Sequence, residues 1–218
     1  GLMLVSVTDR SLIEELLKSW RGPAVLVDHY FEGLPVTGII DDSEDGARQL
    51  TEHLLSLGHR RIGYVEITRR EHNPWRYAGY AGALEKAGIE VDPGLVIPAF
   101  GSFEGGRMAG ETLLARPEPP TAIFAFDDVR AWGVWRAAEA RGMQVGKDLA
   151  LAGFGDTAAK AGFPEELTSV HFDSRALGRL AVEKLGALAS GKAKPGELVK
   201  VPTKLVIRQS TKGAKVGS

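Results

Sequence analysis

An α/β fold, with parallel sheet covered by helices on both faces, is what this sequence predicts. Short apolar runs such as TAIFAF (121–126) and LALAGF (149–154) have the continuous hydrophobicity of strands buried on both faces. Between them, Val129, Trp132, Val134, Trp135, Ala138 and Met143 recur at three- and four-residue steps, the helical period. Arg141-Gly142 gives that helix a basic last turn and a stop. Strand, helix and strand form a β-α-β unit, whose right-handed crossover brings both strand ends to one edge of the sheet. Ligands bind at that edge in open α/β folds, so Asp127, Asp128 and Asp156, which leave it, are the first candidates for a site.

The remaining elements follow the same grammar. Leu2–Ser6 reads as a strand, and Ser11 with Glu14 three residues on predicts a capping box for a short helix. Gly22-Pro23 stops that helix before the strand AVLVD (24–28). Val36–Ile40 is a further strand, followed by a helix from Glu44 to Leu57, with Asp41-Asp42 as its cap and Gly58 as its end. RIGYVEI (61–67) returns to sheet, and residues 68–75 form a polar passage. Pro74 suits the first turn of a helix running to Gly88. A turn and strand occupy 89–100, and Glu104–Leu114 is helical. Phe163-Pro164 falls in a loop before the strand LTSVHF (167–172) and a helix over 173–190. LVKVP and KLVIRQS close the chain as strands, and TKGAKVGS is expected to be disordered.

Composition excludes several function classes. The 218 residues can bury a real core, and 27 basic against 28 acidic side chains give no basic field for nucleic acid. With no cysteine there are no disulfides or thiolate metal sites. His53 and His59 lie six apart, a spacing that suits no one-face metal pair on a helix, so both are expected to be solvated. No apolar run approaches the ~18 residues of a membrane span. The chain opens inside a strand without an initiator methionine, which predicts a fragment. GFGDTA (153–158) fits a dinucleotide pattern but comes late in the chain, with acids too close behind it to serve a ribose. No nucleophile elbow, Walker A loop or zincin motif is present, and adjacent Asp127 and Asp128 diverge too far for a shared-proton dyad. The expectation is a binding protein with no cofactor and no metal, not an enzyme.

TAIFAFDDVRAWGVWRA with VGKDLALAGFGDT resembles the core of the effector-binding domain of the lactose-repressor family of bacterial transcription regulators. DDSEDGARQLTEHLLSLGHRRIGYV (41–65), LTSVHFDSRALGRLAVEKL (167–185) and VPTKLVIRQST (201–211) resemble it in the same order. The resemblance implies two Rossmann-like lobes of mainly parallel sheet, like a periplasmic sugar-binding protein, the first lobe incomplete at its N-terminus with an exposed edge near Leu2–Ser6. It places the first lobe at 1–67 plus 173–197, the second at 68–172 plus 198–210, and a tail at 211–218.

The resemblance also implies roles. Arg76, in WRYAG, aligns with the arginine that holds effector hydroxyls or a carboxylate; the structural alternative is an arginine paired with a lobe carboxylate. Trp75 stands beside it. Asp28 matches a position that contacts effector in some members. Members often place an aromatic ring at Gly101, where Phe100 and Phe103 flank a gap. Asp127 stands where most carry asparagine, and as an acceptor only it suits a ligand that presents more donors or a positive group. Gly155 replaces the usual aspartate of a G-F/Y-D-D pattern, while Asp156 matches the second acid. The implied partners are a small-molecule effector, sugar-like or another polar metabolite, a second copy of the chain, and operator DNA only through a headpiece outside this chain. The setting is cytoplasmic, without membrane. The alternative is a solute-binding protein of a transport system.

Overall fold

Two sheets organise the chain in the computed structural model, which describes residues 1–69, 73–157 and 166–213. They belong to two units, one of Gly1–Asp42 with Phe172–Thr203, the other of Ser43–His171 with Lys204–Ser218.

The first unit has a four-stranded parallel sheet in the order β1 (Leu2–Val5), β2 (Ala24–Val27), β3 (Thr37–Asp41), β9 (Leu198–Val201). Alternation along β2 splits its side chains between two cores. Ala24 and Leu26 pack with Ile13 and Leu17 of helix α1 (Arg10–Ser19), while Val25 and Val27 pack with Leu177 and Ala181 of helix α6 (Ser174–Ala189). Helices on both faces are why AVLV has no polar position. α1 is capped by Asp9, whose carboxylate accepts from Leu12 N at 3.2 Å. The capping box expected at Ser11 does not form: Ser11 lies inside the helix and donates to Asp9 at 2.7 Å. β1 has β2 as its one neighbour in the sheet.

The second unit carries six strands in the order β10 (Thr203–Val206), β8 (Thr168–Phe172), β7 (Ala150–Phe154), β6 (Ala122–Ala125), β4 (Ile62–Ile67), β5 (Val96–Ala99). The pairs from β8 to β5 are all parallel. α4 (Phe103–Leu114) and α5 (Asp128–Ala140) cover one face over Val65, Ile123, Ala125 and Leu151. On the other face Tyr64, Tyr80 and Phe124 meet ring to ring, with Tyr64 stacked on Tyr80 at 4.8 Å. Tyr80 belongs to α3 (Trp75–Lys86), which packs on α2 (Ser43–Ser56). α4 and α5 approach closely because Gly106 and Gly133 meet at their crossing, where a Cβ at Gly133 would overlap the Phe103 carbonyl and the Arg107 amide.

Three further expectations are corrected. The first boundary lies at 42/43 rather than 67/68, because β4 pairs with β5 and β6 in the second sheet and α2 packs on α3; the others fall at 171/172 and 203/204. His59 is buried, its Nδ1 2.9 Å from Thr121 Oγ1, and His53 is half-buried with Nε2 3.0 Å from Thr211 Oγ1, so neither is solvated. Residues 211–212 are not tail: Gln209–Lys212 form a short helix, α7, which buries Ser210 and Thr211. Ser210 Oγ donates to Leu151 O at 2.6 Å and accepts from Thr168 N at 2.8 Å. Phe163-Pro164 and residues 214–218 lie outside the described residues.

Candidate functional site

The strand order of the second unit reverses direction between β4 and β6. From β4 the chain moves outward to β5, and from β6 it proceeds the other way through β7 and β8. The carboxyl ends of strands flanking such a switch point are where open α/β sheets bind ligands. Arg76, at the start of the helix that follows β4, sits at this place. Its Nη1 donates to the Phe126 carbonyl just beyond β6 at 2.7 Å, and its Nε donates to Ser43 Oγ at 3.2 Å. The guanidinium carbon lies 4.4 Å from the centroid of the Phe126 ring and 3.8 Å from that of Phe154. Arg76 is buried, 8% exposed, with its cation held against these two aromatic rings.

The two adjacent carboxylates divide their work. Asp127 caps α5, its Oδ1 accepting from Arg130 N at 2.9 Å, and its Oδ2 pairs with Arg130 Nη1. Asp128 turns inward and is buried. It accepts from Ser169 Oγ and Thr157 N, both at 2.6 Å, and from Thr157 Oγ1 at 3.1 Å. Burial raises the Asp128 carboxyl above the ordinary aspartate range; nearby Asp156 adds to that, and the three donated bonds oppose it. Asp156, at the end of β7, pairs with Arg208 Nη2 at 2.7 Å and His171 Nδ1 at 3.2 Å. Gly155 has φ +119°, a backbone conformation that L side chains rarely adopt. The aspartate usual at that position would therefore be strained in this loop.

Arg76, Asp127 and Asp156 are thus brought to one edge of the second unit's sheet. Trp75 is half-buried in the first turn of α3, and Phe100, beyond β5, is 74% exposed. Asp28 belongs to the first unit, at the end of β2. Both Asp28 (φ 64°) and Ser6 (φ 53°), at the end of β1, are left-handed, and Ser6 Oγ donates to Asp28 Oδ2 at 2.9 Å. Sequence reasoning missed Ser6, Ser169, Arg208 and Arg130. Strand-end position was a signal for Ser6; nothing local marked Ser169, inside β8, or the arginines. Buried Ser169 donates to Asp128, and His171 pairs with Asp156. Among the described residues no group of three His, Cys, Asp or Glu could hold a metal, and no helix is long and apolar enough to cross a membrane.

Residues 51–211 match the periplasmic binding protein-like domain. The HTH-type transcriptional regulator DegA of Bacillus subtilis is 34% identical over 204 residues, covering 92% of this chain and 59% of that protein. The transcriptional regulator CelR in its cellobiose complex superposes with TM-score 0.87 at 28% identity, over 96% of this chain and 65% of that one. The lac repressor dimer bound to operator and an anti-inducer gives TM-score 0.85 at 29% identity, over 97% and 73%. The chain belongs to the periplasmic-binding-protein-like family, in the form that lactose-repressor-type transcription regulators use to bind their effectors. It spans about three-fifths of the length of that curated relative.

Proposed function

We propose that this chain is the effector-binding and dimerising region of a transcription regulator, acting in the cytoplasm, with DNA contacted through a headpiece outside residues 1–218. The observation that carries the reading is the switch-point edge, where Asp127 and Asp156 leave the ends of β6 and β7 and Arg76, from the first turn of α3, holds the Phe126 carbonyl beside them. The effector is a small polar molecule, and the cellobiose bound by CelR makes a sugar-like one the first class to try. A ligand that favours one state of a regulator over another shifts its operator affinity by the same coupling, of order 1–3 kcal/mol. The lac repressor's dimer supports a homodimer here. The transport-system alternative is set aside, since the compared relatives are regulators of transcription.

The test is a thermal-shift screen of residues 1–218 against sugars, sugar phosphates, nucleobases and amino acids. A ligand of the folded state alone stabilises by about 2.7 kcal/mol at a hundred times its dissociation constant, which moves the melting midpoint measurably. A hit is expected, and it should be lost in Arg76→Ala while the unliganded melt stays cooperative. A hit untouched by that substitution would move the site away from this edge.

A further inference from the structure

The chain passes between its two units three times, after Asp42, after His171 and after Thr203. At each passage a flanking residue is held by a hydrogen bond within its own unit. On the first unit's side, Thr203 Oγ1 donates to the Asp42 carbonyl at 3.3 Å, and Lys200 Nζ pairs with Asp42 Oδ1 at 3.1 Å. On the second unit's side the partners belong to the strand-end edge. Ser43, the first residue after one passage and 1% exposed, accepts from Arg76 Nε at 3.2 Å. His171, the last residue before another, has Nδ1 3.2 Å from Asp156 Oδ2. Two side chains of the switch-point edge thus each hold one residue at a passage.

Both bonds start from fixed anchors. Arg76 also donates to the Phe126 carbonyl, and its helix α3 presses on the start of α2, where a Cβ at Gly79 would overlap the Glu44 carbonyl. Asp156 is held on its other oxygen by Arg208 Nη2 at 2.7 Å, and its amide donates to Ser169 Oγ at 3.0 Å. Hinges between units are a few loop or element-terminal residues that absorb changes in φ and ψ. Ser43 opens α2 and His171 lies one residue from the end of β8, so both stand where such changes fall. A side chain bonded to a rigid edge removes part of that freedom.

We propose that Ser43 and His171 are latch points, through which the strand-end edge restrains movement between the two units in the unliganded chain. The restraint is a property of the two bonds; its use as a signal rests on the reading of the edge as the effector site. A ligand that engages Arg76 or Asp156 competes for the groups that hold the latches, so occupancy is felt at a passage one hydrogen bond away.

The chain has no cysteine, so two introduced thiols carry spin labels at chosen places. Glu15→Cys on α1 reports the first unit, and Glu85→Cys on α3 or Thr112→Cys on α4 the second, all at exposed positions. Double electron–electron resonance then reads the spread of distances between the units with no ligand added. Ser43→Ala and His171→Ala are each expected to widen that spread, by about twofold in the double variant. His171→Lys, which still offers Asp156 a donor, should keep the spread of the unchanged chain. A bond that served only the second unit's own stability would lower the melting midpoint and leave the spread as it was. That result in either variant overturns the latch at its passage, and in both it overturns the whole proposal. The effector reading would still stand, because the thermal-shift screen tests the edge separately. If Ser43→Ala fails to fold by circular dichroism, His171→Ala, at a half-exposed position, decides alone.

Discussion

A buried histidine, a half-buried one and a buried aspartate pull the second unit's stability in opposite directions with pH. Burial lowers both His53 and His59 below the ordinary histidine value of 6.5, and repulsion from His53 adds to the effect at His59. A lowered folded-state value means stability that is present above the unfolded value and is lost as pH falls through the folded one. Asp128 is raised, so its contribution is present below the ordinary aspartate value of 3.8 and is lost as pH rises through its folded value. As pH falls through and below the ordinary histidine value of 6.5, the two histidines lower stability. The urea midpoint of residues 1–218 should fall across that range, and His59→Gln, which keeps a hydrogen-bonding group for Thr121, should flatten the fall. An equally steep decline in the variant would show that His59 does not charge on unfolding. Spacing along a chain carries no information on burial. His59 is buried because Thr121, immediately before β6, offers it a hydroxyl.

Helices in this chain carry glycine for different reasons, and the difference is measurable. Gly133 lies where α5 meets α4, so a methyl group there would run into backbone of the facing helix. Gly133→Ala should cost about 1–3 kcal/mol, since backbone cannot yield as a side-chain tip can. Gly186 lies in α6 with nothing within 4 Å of a built Cβ. Gly186→Ala should stabilise by about 0.5–1 kcal/mol by restricting the unfolded chain and favouring the helix. Urea denaturation of the two variants beside the unchanged chain checks both signs. Sequence alone reads the two glycines alike, as isolated glycines in a helical pattern. The same gap separates Ser11 from Asp9, for both lie near the start of α1 and only the observed turn shows which carboxylate or hydroxyl reaches the free amides.

At the scale of the whole chain, a net charge of −1 matters for what residues 1–218 can do unaided. Non-specific affinity for DNA comes from phosphate neutralisation by basic side chains, and 27 of these are offset by 28 acids. A gel shift should therefore show no specific, salt-sensitive binding of duplex DNA by this chain. Sedimentation of the same sample is expected to give a dimer. Specific DNA binding by residues 1–218 would contradict the assignment of that task to a separate headpiece.

The sequence by itself determined the α/β class and nearly every strand and helix, because burial on both faces writes apolar runs and helical packing writes a 3.6-residue period. It also placed Arg76, Asp127 and Asp156 at element ends, where the fold class puts a site. Tertiary structure decided the rest. The first unit ends at Asp42 because β4 finds partners β5 and β6, a pairing that AVLVD and RIGYVEI do not encode separately. Gln209–Lys212 is ordered because Leu151 and Thr168 accept and donate to Ser210 from far along the chain. Asp127 and Asp128 look interchangeable in sequence, yet one faces Arg130 and the other Ser169 and Thr157. Local pattern fixes which residues reach a strand end; which of them are left to meet a ligand depends on partners that only folding brings near.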